Sequence, residues 1–472
     1  MLRGYHKALA AGASLPLPVK VCYGAGSFAK AIQGQAISVY LLFFYTDALG
    51  LEPGLAANIV FWGRIWDILN DPLVGIMVDR AQIQGGTCRA YLRRFFLPAS
   101  ALLALCFIVP ELSNTVTIVW IILAYVVQAW TSTLIQIPMN TLLGRLTQDK
   151  KQRASLNQIS LFFSLAANYL ITAYALPFLT LFGSNLRRGY MFLGLVFGVI
   201  YALCCLAVVV GTRGRETEEA ITKSTVSRHT SASWKSLIQN KIWLCIIVLY
   251  TLFTMSTVLE SSAMVYYYQY VLHKSSLMTS YSTVSTACSC LIFLSLPAVV
   301  KRLGNSGVLG VGCVSYMLGH LLRFFLHDRT IWILLVGWIL ANLGLSLISS
   351  TIILNVFDAK VYGEWKTGIR HDALLMSGFT VSSSLGMAFG SAMVGWLLDL
   401  VPYVEQTVQQ ASQVEQLLFL LNTLVPACLV GISSLFVVPI MRNERHLPHM
   451  HEEIRERNLQ KGTKENNTDD YG

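Results

Sequence analysis

Long apolar segments follow one another through most of the chain, and this feature limits its fold more than any other. A helix needs roughly 20 apolar residues to cross the hydrocarbon core of a bilayer. Only 13% of the 472 residues are charged, about half the share of a typical soluble domain. The sequence therefore predicts an all-α polytopic membrane protein with twelve transmembrane helices. The predicted spans are 21–47, 54–78, 92–111, 116–144, 157–183, 189–212, 241–271, 277–299, 305–326, 330–357, 373–400 and 415–440.

The positive charges are distributed unevenly between alternate loops. If the N-terminus is cytoplasmic, 28 of the 35 Lys and Arg residues lie in cytoplasmic segments and five lie outside, Arg323 among them. Cytoplasmic loops carry an excess of these residues, so both termini are predicted to be cytoplasmic, in a plasma (bacterial inner) membrane. His320 is expected to pair with Arg323 at the outer end of a helix. The same distribution accounts for the net charge of +10 without a nucleic-acid partner.

The longest polar connector lies between the sixth and seventh segments. It predicts an N-terminal six-helix bundle (1–211), a cytoplasmic middle loop (212–240), a C-terminal six-helix bundle (241–440) and a cytoplasmic polar tail (441–472). Two six-helix bundles of the major-facilitator type are the plan of secondary transporters, with the solute site near the bilayer midplane. No GxxxxGK[ST] motif is present, which disfavours an ATP-driven pump. The sequence shows no arrangement of residues typical of a hydrolytic enzyme, so the protein is not expected to be an enzyme.

The stretch "GRIWDILNDPLVGIMVDR" (63–80) places three charges inside the second apolar segment before it ends at Asp79 and Arg80. Each costs roughly 2.5–3.5 kcal/mol at a helix centre, so such residues are functional candidates. Asp67 and Asp71 are four residues apart, with Arg64 three before Asp67, so all three share one helix face. Asn70 lies beside them. The net charge of about −1 predicts a bound monovalent cation or a proton.

Pro72 removes the usual helical partner of the Ile68 carbonyl, which becomes a further candidate ligand. The structural alternative for the whole group is an internal Arg64–Asp67 salt bridge that holds helices together.

Lys30 and Glu260 are the other deep charges. Lys30 is predicted to pair with one of the acids of the second segment. For Glu260 two interpretations stay open: it binds solute or a proton, or it forms a polar end near the outer interface. Trp130 is a candidate for the solute cavity because sugars stack on aromatic faces, although helix packing also explains it.

Four ordered motifs resemble the glycoside–pentoside–hexuronide:cation symporters, which are melibiose-permease-like members of the major facilitator superfamily. The RxxDxxND core of the second segment is similar to helix two of that family. The other matches are "YGAGSFAKA" with "YLLFFYTDALGL" (23–31 and 40–51), "IPMNTLLGRLTQDKKQRASLN" (137–157) and "VYGEWKTGIRHDALLMSGFTVSSSLG" (361–386). Together they cover most of the chain.

The resemblance implies symport of a sugar- or glycoside-like solute with Na⁺, Li⁺ or H⁺ by alternating access, with no other cofactor. It implies a cation site made of Asp67, Asp71, Asn70, Thr133 and Thr380. If sodium is the coupling ion, Asp67 and Asp71 are its charged ligands, since hard cations prefer oxygen. The expected partners are a small-molecule solute and the lipid bilayer, and the protein is expected to be monomeric.

Three positions depart from the charged residues that sugar-binding members of the family often carry: Ala31, Gln136 and Ser384. The departures favour a neutral or differently recognised solute. Alternatives are the same fold carrying a lipid, an amino acid or a drug, or a non-transporting membrane sensor. The solute-cavity candidates are Lys30, Ala31, Arg64, Gln136, Trp130, Glu260 and Ser384.

Gly75, Asp79 and Arg80 resemble the GxxxDR signature of the superfamily. The resemblance implies a conformational latch between the second and third helices. The alternative is an ordinary positively charged cytoplasmic loop.

Overall fold

The structure is a computed structural model. It describes residues 15–80, 87–110, 113–147, 149–182, 185–213, 239–274, 276–326, 331–367, 372–405, 407 and 409–469. Within these ranges the regular structure is helical, and nine helices are long and apolar enough to cross a membrane. Three further helices, Leu17–Gln35, Pro53–Arg80 and Thr87–Leu105, lie at the first three predicted spans. The all-α, twelve-helix prediction is confirmed.

The first six helices overlap the predicted segments, although the third is Thr87–Leu105 instead of 92–111 and the fifth begins at Lys150 instead of 157. The first helix, α1, continues through π-helical turns at Ala36–Tyr40 and Phe44–Ala48. Its side chains are mostly buried along the second half, which explains why the apolar run there is unbroken. The helices are α1 Leu17–Gln35, α2 Pro53–Arg80, α3 Thr87–Leu105, α4 Asn114–Leu146, α5 Lys150–Thr180 and α6 Leu186–Gly211.

The later spans depart from the predicted bounds in two places. The tenth was predicted to end at 357, but α10 continues through the polar "YGEWKT" sequence to Thr367. The twelfth is interrupted at Thr423 and again at 435–436, so it comprises α12, α13 and the start of α14. The helices are α7 Lys241–Tyr266 with a π-helical turn at Tyr267–Val271, α8 Ser276–Leu303, α9 Asn305–Phe325, α10 Ile331–Thr367, α11 Asp372–Leu398, α12 Ser412–Asn422, α13 Leu424–Ser434 and α14 Val437–Asp469.

The described residues fall into two compact units. Unit 1 comprises the described parts of Met1–Ser224, Ser261–Thr286 and Ser391–Phe419. Unit 2 comprises those of Thr225–Glu260, Ala287–Gly390 and Leu420–Gly472. The predicted division into two six-helix bundles at the middle loop follows the order of the helices along the chain, whereas the two units follow contacts in space. The predicted division therefore stays a prediction.

In unit 1, α1 packs against α5 and α6, and α4 packs against α2 and α3. The α2–α4 contact depends on Gly63, because a Cβ there would lie 2.0 Å from Cε1 of the Tyr125 ring. Since any larger residue would push the ring away, Gly63 fixes how closely the charged face of α2 approaches α4.

In unit 2, α9 and α10 pack over most of their length. A Cβ on Gly319 of α9 would lie 2.3 Å from the Ala341 backbone nitrogen of α10, so the two backbones approach as closely as small residues allow. The start of α9 is fixed by Glu444 of α14, whose carboxylate accepts from the backbone nitrogens of Asn305 (2.6 Å) and Ser306 (3.0 Å). A carboxylate at this position satisfies orphan donors of the first helical turn.

Candidate ion and solute site

The two acids of α2 lie on one face of the helix, as their spacing predicts. Thr133 of α4 is buried, and its hydroxyl lies 3.1 Å from Asp71 Oδ1 and 3.2 Å from the Ala129 carbonyl. Asp67 is half-buried and has no hydrogen-bond donor among the described residues. The structure therefore joins Asp71 to the predicted helix-four threonine and leaves the Asp67 carboxylate available to a ligand.

Asn70 lies between the acids in sequence and is only 3% exposed. Its Nδ2 atom has no hydrogen-bond acceptor among the residues that the structure describes. A buried amide without a partner costs about 1–3 kcal/mol. Packing therefore holds Asn70 in place, and its amide oxygen can act as a ligand of a cation.

Arg64 does not form the salt bridge with Asp67 that was considered as a structural alternative. Its Nη2 atom donates to Ser38 Oγ of the first span at 2.6 Å, and its Nε atom has no acceptor in the described part of the chain. The guanidinium thus lies near the acids without being paired to either. Such an arrangement lets it respond to a charge that binds beside Asp67.

The prediction for Lys30 is wrong in its partner. Lys30 Nζ donates to Asn140 Oδ1 of α4 at 3.0 Å, not to a carboxylate of α2. Asn140 belongs to the quoted "IPMN" motif, but its amide is neutral, so nothing in the sequence marks it as the partner of Lys30. The amide oxygen satisfies one donor of the ammonium and leaves the negative charge of the α2 acids uncompensated by Lys30.

The other cavity candidates of unit 1 form no side-chain hydrogen bond in the described ranges. Ala31 and Gln136 are half-buried on α1 and α4, and Trp130 of α4 is 43% exposed. A cavity of about 280 Å³ lies among α1, α5 and α6, but its lining is apolar and includes none of the predicted site residues. An apolar lining does not favour the binding of a polar solute.

Two candidates belong to α11 in unit 2. Thr380 is exposed, and its hydroxyl donates to the Met376 carbonyl one turn earlier at 3.2 Å. Ser384 is half-buried. Their assignment to the ion and solute sites stays a prediction.

Glu260 is 8% exposed and hydrogen-bonded within unit 2, and both interpretations of its role stay predictions. Arg323 Nη1 donates to its Oε1 atom at 3.1 Å, and His320 Nε2 lies 3.5 Å from its Oε2 atom. Arg323 was counted among the charges of the outer loops. That prediction is wrong, because Arg323 lies inside α9 and is 3% exposed.

The latch residues are only partly covered. Gly75 lies in α2 with open space around it, since a Cβ there would meet nothing within 4 Å. Asp79 and Arg80 form the last turn of α2, and their side chains lie outside the described part of the structure. The latch stays a prediction.

One buried acid escaped the sequence analysis although it stands in a quoted motif. Asp47, in "FFYTDALGL", is fully buried and accepts hydrogen bonds from Thr46, Tyr270 and Tyr403. The available signal was an acid directly at the end of an unbroken apolar run. Among the described residues no group of three or more His, Cys, Asp or Glu side chains could hold a metal ion.

The profile of the family described as "MFS/sugar transport protein" matches residues 22–442. The isoprimeverose transporter of Lactiplantibacillus pentosus is 27% identical, over 84% of this chain and 83% of that protein. The inner membrane symporter YicJ of Escherichia coli (strain K12) is 25% identical, over 89% of this chain and 91% of that protein.

Two solved structures share the fold. The nucleoside transporter NupG has a TM-score of 0.56 at 13% identity, covering 90% of this chain and 98% of its own. A bacterial homologue of the human drug peptide transporters PepT1 and PepT2 has a TM-score of 0.62 at 11% identity, covering 91% and 99%. Fold and profile together define a polytopic membrane transporter. The chain belongs to the MFS/sugar transport family, as its motifs predicted.

Proposed function

We propose that this protein is a secondary transporter that carries a sugar- or glycoside-like solute together with Na⁺, Li⁺ or H⁺. The observation that carries the proposal is the α2 face: Asp67 has no donor in the described ranges, and Asp71 has only the Thr133 hydroxyl. Two acids without a paired cation are costly in a membrane-spanning helix. A bound cation or proton removes that cost.

The family membership and the names of two relatives, an isoprimeverose transporter and an inner membrane symporter, support this proposal. In the proposed cycle the ion binds at Asp67 and Asp71, and Asn70 and Thr133 supply neutral oxygen ligands. Alternating access then exposes the solute on either side of a plasma membrane, with both chain termini in the cytoplasm and the Gly75–Arg80 segment as the latch.

The first test measures the ion itself, so it does not need the solute. Purified protein in detergent micelles is heated in NaCl, LiCl or choline chloride at one ionic strength. A cation that binds only the folded form at 100 times its Kd adds about 2.7 kcal/mol of stability. We expect Na⁺ or Li⁺ to raise the unfolding temperature of the native chain, and Asp67→Asn and Asp71→Asn to abolish the increase.

Glu52→Gln is the matched control, because Glu52 is an exposed acid just before α2. It should keep the full cation effect. If the chain responds only to H⁺, the salts have no effect and the two Asp variants remove a dependence on pH instead. Retention of every ion effect in both Asp variants would show that the ion site is elsewhere.

The second test addresses the solute. Proteoliposomes carrying an inward Na⁺ or H⁺ gradient are supplied with radiolabelled isoprimeverose, the sugar in the name of one relative. Gradient-driven accumulation that Asp71→Asn abolishes supports sugar symport. Lipids, amino acids and drugs supplied to the same vesicles test the alternative cargo, which the neutral Ala31, Gln136 and Ser384 favour. Binding without flux would indicate a sensor.

A further inference from the structure

A second group of ionisable side chains is buried in unit 2, inside spanning helices. Glu260 belongs to α7, and His320 and Arg323 belong to α9, where they are one turn apart. His320 is fully buried and Arg323 is 3% exposed. Arg323 Nη1 donates to Glu260 Oε1 at 3.1 Å, so the arginine and the carboxylate balance each other.

The His320 ring lies between two hydrogen-bond acceptors. Its Nδ1 atom is 3.3 Å from the Asn422 carbonyl oxygen at the end of α12, and its Nε2 atom is 3.5 Å from Glu260 Oε2. A neutral imidazole carries one N–H, on either nitrogen. Whichever nitrogen holds it, the other directs a lone pair at an oxygen lone pair, which is unfavourable in a buried site.

One additional proton resolves this conflict. If it is on Nε2, the imidazolium donates to both acceptors. If it is on Glu260 Oε2, the carboxylic acid donates to Nε2, while Nδ1–H donates to the Asn422 carbonyl. Both arrangements have the same number of protons, and the charge of Glu260, His320 and Arg323 together rises from 0 to +1. In the described part of the chain Nε2 has no hydrogen-bond partner, so the 3.5 Å separation from Glu260 Oε2 becomes a hydrogen bond only when the proton is present and the two atoms move slightly closer.

Among the residues that the structure describes, few other titratable groups lie near this site. Tyr316 of α9 donates to Glu260 Oε2 at 3.2 Å, and its hydroxyl lies 3.2 Å from Ser256 Oγ of α7. On the α10 side, Gly337 packs against the Arg323 side chain. The α12–α13 junction presents the Asn422 carbonyl to His320 and the Pro426 carbonyl to Ser256. The extra proton therefore belongs to Glu260 and His320.

We propose that Glu260 and His320 form a proton-binding site, which holds one exchangeable proton between Oε2 and Nε2 and is distinct from the acids of α2. Arg323 and Tyr316 are positioning residues, because they hold the carboxylate toward the ring. The site uses no residue of α2, so it stands or falls independently of the proposed cation site.

His320→Asn tests the proposal, because it removes Nε2, retains an amide that can donate to the Asn422 carbonyl, and leaves the Glu260–Arg323 pair intact. The unfolding temperature of the full chain in micelles is measured from pH 5.5 to 8.5. The bound proton stabilises the folded state at low pH, and this contribution is lost as pH rises. We expect the native-minus-variant difference to shrink by about 1–2 °C across the range.

His446→Asn is the matched control, since His446 is exposed on α14 and lies outside the Glu260–His320 site. It should follow the native chain at every pH. The proposal would be overturned if the unfolding temperatures of the native chain and of His320→Asn differed by the same amount at every pH. The protonation of the site would then not change across this range.

A second measurement is independent of whether His320→Asn folds. In the native chain with ¹⁵N-labelled histidine, a water-soluble relaxation agent broadens the rings that water reaches, and the fully buried His320 ring stays sharp. We expect the Nε2 resonance of that ring to move between two values from pH 5.5 to 8.5, whichever atom carries the proton. A resonance that does not move would overturn the proposal.

Discussion

Two acids of unit 1, Asp47 and Asp67, differ in the hydrogen-bond donors that surround their carboxylates. Asp47, in the π-helical turn Phe44–Ala48, is fully buried and accepts from Thr46 Oγ1 at 2.7 Å, from Tyr270 and from Tyr403 at 2.7–2.8 Å. Asp67 of α2 is half-buried and has no such donor in the described part of the chain. A carboxylate surrounded by hydroxyl donors holds chain segments together, whereas one without donors is available to a ligand.

The segments held by Asp47 come from distant parts of the sequence. Tyr270 lies in the π-helical turn after α7, and Tyr403 lies in the connection after α11. We call Asp47, Thr46, Tyr270 and Tyr403 the Asp47 junction. Hydrogen bonds to a charged group contribute about 1.5–3 kcal/mol each. The junction thus connects three chain segments that are far apart in the sequence.

Replacement of Asp47 should have the largest effect on stability. Asp47→Ala leaves buried hydroxyls without their acceptor, and each orphaned donor costs about 1–3 kcal/mol. We expect a loss of about 3 kcal/mol or more, measured as a lower unfolding temperature in micelles. Asp67→Ala is the control and should change stability by less than about 1 kcal/mol. Equal losses in the two variants would remove the contrast between these acids.

Removal of a single hydroxyl should have an intermediate effect. Tyr403→Phe deletes one charge-assisted hydrogen bond and should cost about 1.5 kcal/mol. Tyr190→Phe is the matched control: Tyr190 is equally aromatic and fully buried, but its hydroxyl has no hydrogen bond among the described residues. That variant should be neutral or slightly stabilising. The same thermal measurement compares them, and an equal loss in both would mean that ring packing, not Asp47, accounts for it.

The smallest effect is a dependence on alkaline pH. Burial first, and then the charge of Asp47, raises the pKa of Tyr403 above the ordinary value of about 10. Folding therefore favours the protonated phenol. The resulting stability is complete below pH 10 and declines as pH rises above it. Ultraviolet absorbance at pH 10.5 should show no Tyr403 phenolate until the chain unfolds. A phenolate signal that Tyr403→Phe removes from the folded protein would contradict this.

The sequence predicted the helices better than their ends. Alternation of apolar runs with polar loops gave all twelve spans, because backbone groups in a bilayer must be satisfied within a helix. It failed at α10, which continues to Thr367 through a polar sequence that no longer resembles a membrane span. The bilayer limits only the apolar part of a helix, and beyond it the packing of unit 2 decides where the helix ends.

The sequence indicated which side chains need a partner better than it indicated what each partner is. Thr133 was expected beside the acids of α2, and its hydroxyl lies 3.1 Å from Asp71 Oδ1, while the ion site itself stays a prediction. Lys30 was assigned a carboxylate and has the Asn140 amide instead. Charge in a sequence indicates which residues need a partner, but partners such as Asn140 or Tyr403 are neutral and leave no comparable signal.

The sequence by itself determined that the chain crosses the membrane as helices, that it belongs to a sugar transport family, and that the acids of α2 share one face. These properties follow from local periodicity and from the cost of charge in a bilayer. Only the tertiary structure decided which acids are satisfied. Asp47 and Glu260 find donors on segments more than 50 residues away, whereas Asp67 finds none in the described ranges. Long-range packing sets those distances, and no local pattern encodes them.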